Sequence, residues 1–131
     1  MPRGEAYQAI TSLEDVFEPR ALLAGQLPTA MGAVEKARQL APDDPLVRVH
    51  LDVMRLNVGM VDRAHEDLDD IVSEHPDMVR AILWLAFAKG QKGDEDGARA
   101  LLERVLEKAP DSEEATMGRS WMMEIDAAQS P

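Results

Sequence analysis

Apolar residues recur along the chain with the spacing of helix faces. Val61, Ala64, Leu68, Ile71 and Val72 step by three, four, three and one, which puts them on one helical stripe. Glu66, Asp67, Asp69, Asp70 and Glu74 fall largely off it. Ala98, Leu101, Leu102, Val105 and Leu106 repeat the pattern further on. Residues 81–88 (AILWLAFA) are apolar without interruption. The helix they predict has no polar face over two turns, so it packs on more than one side.

A longer period overlies the helical one. Pro42, Pro76 and Pro110 recur at equal intervals, each followed by Asp. Gly25, Gly59 and Gly93 keep the same interval, as do Ala30, Ala64 and Ala98. Proline lacks the N–H that would continue a helix, so it closes one. The glycine falls where a first helix ends and the chain turns. The alanine, five positions later, lets two helices approach closely. Each unit therefore reads as helix, turn, helix and stop. Start signals agree: Asp44-Pro45 as N-cap and first-turn proline, Thr11 with Glu14 as a capping box, and Asp77 and Asp111 as caps of the helices that follow them.

This pattern resembles the tetratricopeptide repeat (TPR) family. The matching units are residues 11–44, 45–78 and 79–112. The third carries the family marks at Leu85, Ala86, Gly93, Asp94, Ala98 and Pro110, and its ending LLERVLEKAP looks like bacterial TPR domains. Asp52 and Glu18 stand where the family prefers a small residue, and Ala21, Arg55 and Lys89 where it usually has Tyr. Pro19, next to Glu18, predicts a kinked or split first helix. The resemblance implies an all-α fold, a right-handed α-solenoid of three helix-turn-helix units plus a C-terminal capping helix over about 113–126. That makes a single domain over 1–126, with 127–131 as a frayed tail. A terminal helix should seal the last apolar surface of such an array, and Met117, Trp121 and Ile125 read as its stripe.

Composition narrows the function. The chain has 131 residues, 25 acidic against 14 basic, a net charge of −11 and no cysteine. The length fits one domain with its own core. The missing cysteine removes zinc-thiolate, iron–sulfur and dithiol chemistry. The negative charge argues against nucleic acid and anionic membrane and permits a basic partner. Residues 1–11 carry no apolar leader segment, and eight apolar residues in a row are too few to span a bilayer, so a soluble, cytoplasmic protein is expected. Residues 45–78 hold three basic against eight acidic residues, whereas 79–112 are balanced at six and six. The acid of the former sits on its second helix and reads as a solvated outer face, the alternative being a convex surface for a basic partner.

Catalytic and metal patterns are not evident. There is no Gly-x-Ser-x-Gly elbow, and residues 89–97 (KGQKGDEDG) lack the Gly-Lys-Ser/Thr end of a phosphate loop. Asp94 and Asp96 before Gly97 hint at a calcium loop without its distal Glu. His65 and Asp69 are spaced as two ligands on one helix, with no evident third. His50, His65 and His75 read as exposed helix histidines. No enzyme activity, cofactor or metal is expected.

The TPR resemblance implies a concave groove built from the first helix of each unit. Carried onto this chain it is lined by Leu46, Val49, Val53, Leu56 and Asn57 in the second unit. In the third it is lined by Arg80, Leu83, Phe87, Gly90 and Gln91, and in the first by Ser12, Asp15, Pro19, Leu22 and Leu23. Leu83 and Phe87 either face this groove or belong to the central core. Some TPR proteins clamp a chaperone peptide's C-terminal carboxylate with Lys and Asn; Asp15 and Pro19 stand at those places here, so that clamp is absent. The implied function is a protein–protein interaction module, an adaptor, scaffold or chaperone-like binder holding a peptide or amphipathic helix of another protein. The alternative is a self-associating structural protein, a homodimer through Trp121, Met122 and Met123. An assembly chaperone, as in c-type cytochrome maturation, is a narrower form of the first.

Overall fold

The computed structural model describes residues 43–129, with four helical positions upstream, Gly32, Lys36, Gln39 and Leu40. The expectations for Thr11, Glu14, Pro19, Gly25, Ala30, Pro42, the first-unit groove and residues 130–131 lie outside the described residues. Among those described there are five helices and no strand. The chain divides into two compact units between Met60 and Val61, inside the expected repeat 45–78.

In the first unit, α1 runs over Pro45–Asn57. Asp44 caps it, its Oδ1 accepting from the Leu46 N–H at 2.9 Å, with Pro45 supplying a preset first turn. Gly59 ends it at φ +86°. The Gly59 N–H donates to the Leu56 carbonyl and the Met60 N–H to the Arg55 carbonyl, the paired bonds of a Schellman turn. Val47, Val49, Val53, Met54 and Leu56 are buried, each contributing about 1.5–3 kcal/mol. His50 is buried among them, contrary to the expected exposed histidine.

In the second unit, α2 (Val61–Glu74) buries the predicted stripe Ala64, Leu68, Ile71 and Val72. It leaves Asp62, Glu66, Asp69, Asp70 and Glu74 exposed. α3 (Val79–Gln91) is the central helix and packs against α2, α4 and α5. Its run Ala81, Ile82, Leu83, Trp84, Leu85, Ala86 is buried without a break, as a helix covered on several sides requires. α3 ends in a second Schellman turn: Gly93 has φ +87°, its N–H donates to the Gly90 carbonyl, and the Asp94 N–H donates to the Lys89 carbonyl. The periodic glycines thus build the same turn twice.

α4 (Glu95–Lys108) returns against α3 through Ala98, Leu101, Leu102 and Val105. A Cβ built on Gly90 would lie 3.9 Å from the Ala98 Cβ, so the periodic alanine does mark a close approach of two helices. Asp94 caps α4, its Oδ1 accepting from the Gly97 N–H at 2.9 Å, which commits the carboxylate that had hinted at a calcium loop.

α5 (Glu113–Gln129) packs on α4 and α3. It continues through Ala127 and Ala128 rather than ending near 126, since two alanines and a glutamine sustain a helix. Two expected caps are corrected. The cap position of α3 is Met78, and Asp77 instead bonds Lys108 Nζ at 2.7 Å. At the start of α5, Ser112 Oγ, not Asp111, accepts from the Ala115 N–H at 3.0 Å. The sealing face is corrected too. Ala115 and Gly118 are the buried residues of α5, and Met117, Trp121 and Ile125 are half-buried beside them.

Candidate partner-binding surface

The groove positions divide by burial. In α1, Val49, Val53 and Leu56 are buried, whereas Leu46 and Asn57 are half-buried. Asn57 turns its Nδ2 to the Val53 carbonyl of its own helix at 2.9 Å. In α3, Leu83 is 1% exposed and belongs to the core, where α5 passes close by: a Cβ on Gly118 would sit 4.0 Å from Leu83 Cδ1. Phe87 and Gly90 are half-buried and Gln91 is exposed. Arg80 is half-buried and meets Glu114 of α5 at 3.4 Å.

Phe87 does not stand alone. Its ring centroid lies 4.8 Å from Trp121 and 5.7 Å from Trp84, and the two indoles are 5.5 Å apart, edge to face. Such pairs add about 0.5–1.5 kcal/mol beyond area burial. Trp84 is buried, while Phe87 and Trp121 keep part of their rings at the surface. The expected groove list omitted Trp121, although the period held the signal. Trp121 follows Phe87 by one full repeat period, as Glu114 follows Arg80, and α5 begins one period after α3.

Charges outside this patch serve the helix contacts. Lys92 Nζ reaches Asp62 Oδ1 at 3.1 Å, and Lys89 Nζ lies 3.3 Å from His65 Nε2. Partial burial, and then the lysines Lys89 and Lys92, hold the His65 imidazole below its ordinary value. The hydrogen bond from Lys108 holds the Asp77 carboxyl below the usual carboxylate range. Arg99 pairs with Asp126 between α4 and α5. Among the described residues no group of three or more His, Asp or Glu is placed to hold a metal. No helix there is long and apolar enough to cross a membrane.

A helical hairpin turning at a Schellman glycine, with alanine at the close approach and a first helix that also touches the next first helix, defines a helical-repeat protein. A family model of the tetratricopeptide repeat matches residues 56–121, half of the chain, and the protein belongs to that family. Its fold is the all-α helical-repeat solenoid of TPR proteins. Protein O-mannosyl-transferase TMTC1 of Mus musculus is 34% identical over 87 residues, which cover 63% of this chain and 9% of that protein. The Homo sapiens protein is likewise 34% identical over 87 residues, 63% of this chain and 10% of that one. The chain thus spans about a tenth of these relatives. Among solved structures, YrrB, a TPR protein with an unusual peptide-binding site, superposes with a TM-score of 0.58 at 19% identity, covering 78% of this chain and 53% of that one. The Arabidopsis OM64 TPR domain superposes with a TM-score of 0.60 at 16% identity, covering 91% and 98%. At these identities the structures speak for the fold alone.

Proposed function

We propose that this chain is a protein–protein interaction module whose binding surface centres on the first helix of its best-formed hairpin, with no catalytic role. TPR proteins bind other proteins, and that much follows from the family. The finer reading is a peptide or helix of a partner laid along α3, and one observation carries it. Phe87, at a groove position of the family, keeps part of its ring at the surface while its neighbours Leu83 and Trp84 are buried. Arg80 and exposed Gln91 flank it one turn or two away on the same helix. Repeats at 11–44, 45–78 and 79–112 belong to this proposal. The transferase activity in the relatives' names stays with those proteins.

A photo-crosslinking residue in place of Gln91 tests the reading in the native source. The expected result is one partner protein, which then binds the purified chain and loses at least tenfold in affinity with Phe87→Ala at unchanged helical content. A crosslinked partner that binds Phe87→Ala as well as the parent chain removes α3 as the surface.

A second reading is self-association, favoured by Met123 of α5, which is 72% exposed. Light scattering over a concentration series separates the two, because a monomer throughout excludes it.

A further inference from the structure

α5 is held in two different ways along its length. Its first turns are seated. Ser112 Oγ caps them, Glu114 meets Arg80 of α3 at 3.4 Å, and Ala115 and Gly118 are buried. A Cβ on Gly118 would lie 3.6 Å from Leu102 Cδ2 and 4.0 Å from Leu83 Cδ1, so this part of α5 lies close on both helices of the hairpin. Arg119 Nη2 donates to the Pro110 carbonyl at 2.8 Å and ties the seat to the loop before it. Beyond that point, from Arg119 to Gln129, no residue is buried. Trp121, Met122 and Ile125 are half-buried and the others exposed. α4, by contrast, buries Ala98, Leu101, Leu102 and Val105.

The links that hold this second half are polar and lie at its far end. Arg99 of α4 pairs with Asp126, and Gln129 Nε2 donates to Glu95 Oε2 at 2.7 Å. Asp126 and Gln129 are exposed, so each link is worth no more than a surface contact. Between seat and links, Trp121 rests on the rings of Phe87 and Trp84, with centroids 4.8 and 5.5 Å away. Gly118 and Ser120 flank Arg119 where the two halves join, and a Gly/Ser pair is a place where helices bend.

We propose that residues 119–129 form a hinged arm. It swings off α3 and α4 about Gly118–Ser120 while the first turns of α5 stay seated, and Arg99–Asp126 with Glu95–Gln129 is its clasp. Closed, the arm covers Trp84 and part of Phe87. Open, it bares both rings on α3 and leaves the α3–α4 hairpin folded. This is a conformational device of the last helix and does not depend on the interaction reading above.

What each motion gives up decides which is easier. Opening the arm releases three half-buried side chains, two surface links and one face of Trp84, and none of its own residues leaves a buried site. Opening α4 would release Leu101, Leu102 and Val105 and unfold the hairpin. The arm therefore opens more often than the hairpin, as one local unit. A released piece this short does not hold as a helix in water, so each opening frees its amides to exchange.

Hydrogen exchange of the full chain, read amide by amide by NMR, tests the arm. Amides of residues 122–129 should share one rate, at least about tenfold faster than the amides inside α3 and α4. Arg99→Gln breaks the clasp from α4 and leaves the sequence of α5 intact. It should speed the arm about two- to fivefold, with α3 and α4 rates unchanged. It should also raise acrylamide quenching of tryptophan fluorescence, because both tryptophans of the chain sit at this contact. Lys108→Gln removes a comparable pair with Asp77, away from α5, and should leave the arm unchanged. Gly118→Ala stiffens the hinge and should slow the arm about two- to fivefold. Rates that climb smoothly from residue 118 to residue 129 would be fraying of a helix end and overturn the hinged arm. Protection equal to that of α4 overturns it, because arm and hairpin then open together. So does an arm with no protection at all, which has no closed state. An Arg99→Gln change that speeds α3, α4 and the arm alike overturns the clasp, and a Gly118→Ala arm as fast as the parent's overturns the hinge.

Discussion

Arg55 places Nη1 2.5 Å from Oδ1 of Asp52, whose side chain is 0% exposed. These are the two places in α1 where the chain departs from the family pattern, an acid where a small residue is preferred and an arginine where tyrosine is usual. The departures pair with each other, one turn apart on the same helix. A buried carboxylate costs several kcal/mol in desolvation unless a cation and hydrogen bonds accompany it. Arg55→Leu should therefore destabilise the chain by about 3 kcal/mol, because it removes the guanidinium and leaves the buried charge. Asp52→Ala combined with Arg55→Tyr, the family's own pair, should recover most of that loss. Urea midpoints of parent, single and double variants give the comparison, and a double variant as unstable as Arg55→Leu would mean the two positions act separately.

Gly118 sets how closely α5 approaches its neighbours. Its absent Cβ would meet Leu102 Cδ2 at 3.6 Å and Leu83 Cδ1 at 4.0 Å, which is ordinary contact. Alanine therefore fits, and by helix propensity alone Gly118→Ala should stabilise the chain by roughly 0.5–1 kcal/mol. Leucine does not fit without displacing α5, at about 1–3 kcal/mol. Gly118→Leu should also separate Trp121 from Phe87, seen as a red-shifted tryptophan emission and a weakened near-UV aromatic signal. A leucine variant with unchanged emission would show that α5 does not lean on this contact.

Two glycines at the end of α3 and in the turn after it have opposite requirements. Gly93 sits at φ +87°, in the left-handed region, with nothing within 4 Å of its missing Cβ. The strain is in the backbone, so Gly93→Ala should cost about 1–2 kcal/mol. Gly93→Asn should cost less, because asparagine tolerates that region. Gly90 is helical, and its Cβ would stand at 3.9 Å from Ala98, so Gly90→Ala should be neutral or mildly stabilising. Thermal midpoints of the three variants check the order, and a Gly90→Ala loss as large as that of Gly93→Ala would contradict it.

Features that repeat were legible in the sequence, and features fixed by distant partners were not. Gly59 and Gly93 could be placed in turns, and Ala98 at a helix contact, from spacing, because the same local turn recurs. The Asp77 cap failed for a tertiary reason. Its carboxylate has two competing donors, the α3 backbone beside it and Lys108 at the far end of α4, and only the folded hairpin brings the second within 2.7 Å. Trp121 was read as part of a cap and left off the groove positions because the punctuation stops before the period does. A further glycine would fall at 127, where the chain has alanine, so α5 read as a plain cap although its first half keeps the register of α3. Leu83 and Phe87 sit on one apolar run, and the run itself holds no hint that α5 would cover the first and leave part of the second open.

His50 gives the chain a pH-dependent stability. It is 5% exposed, and burial holds its imidazole in the neutral form, with the pKa lowered to about 4 from an ordinary 6.5. The unfolded chain therefore takes up a proton before the folded one does. The contribution is fully present above pH 6.5 and is lost as pH falls toward 4, a drop of about 3 kcal/mol at full expression. His65 is lowered as well and adds slope of the same sign, so it needs its own control. The lowered Asp77 acts below the usual carboxylate range, outside this window. Urea midpoints between about pH 7.5 and 4.5 should fall steadily for the parent chain and for His65→Gln. They should fall much less for His50→Gln. A His50→Gln variant that keeps the parent's full slope would show that another group carries it.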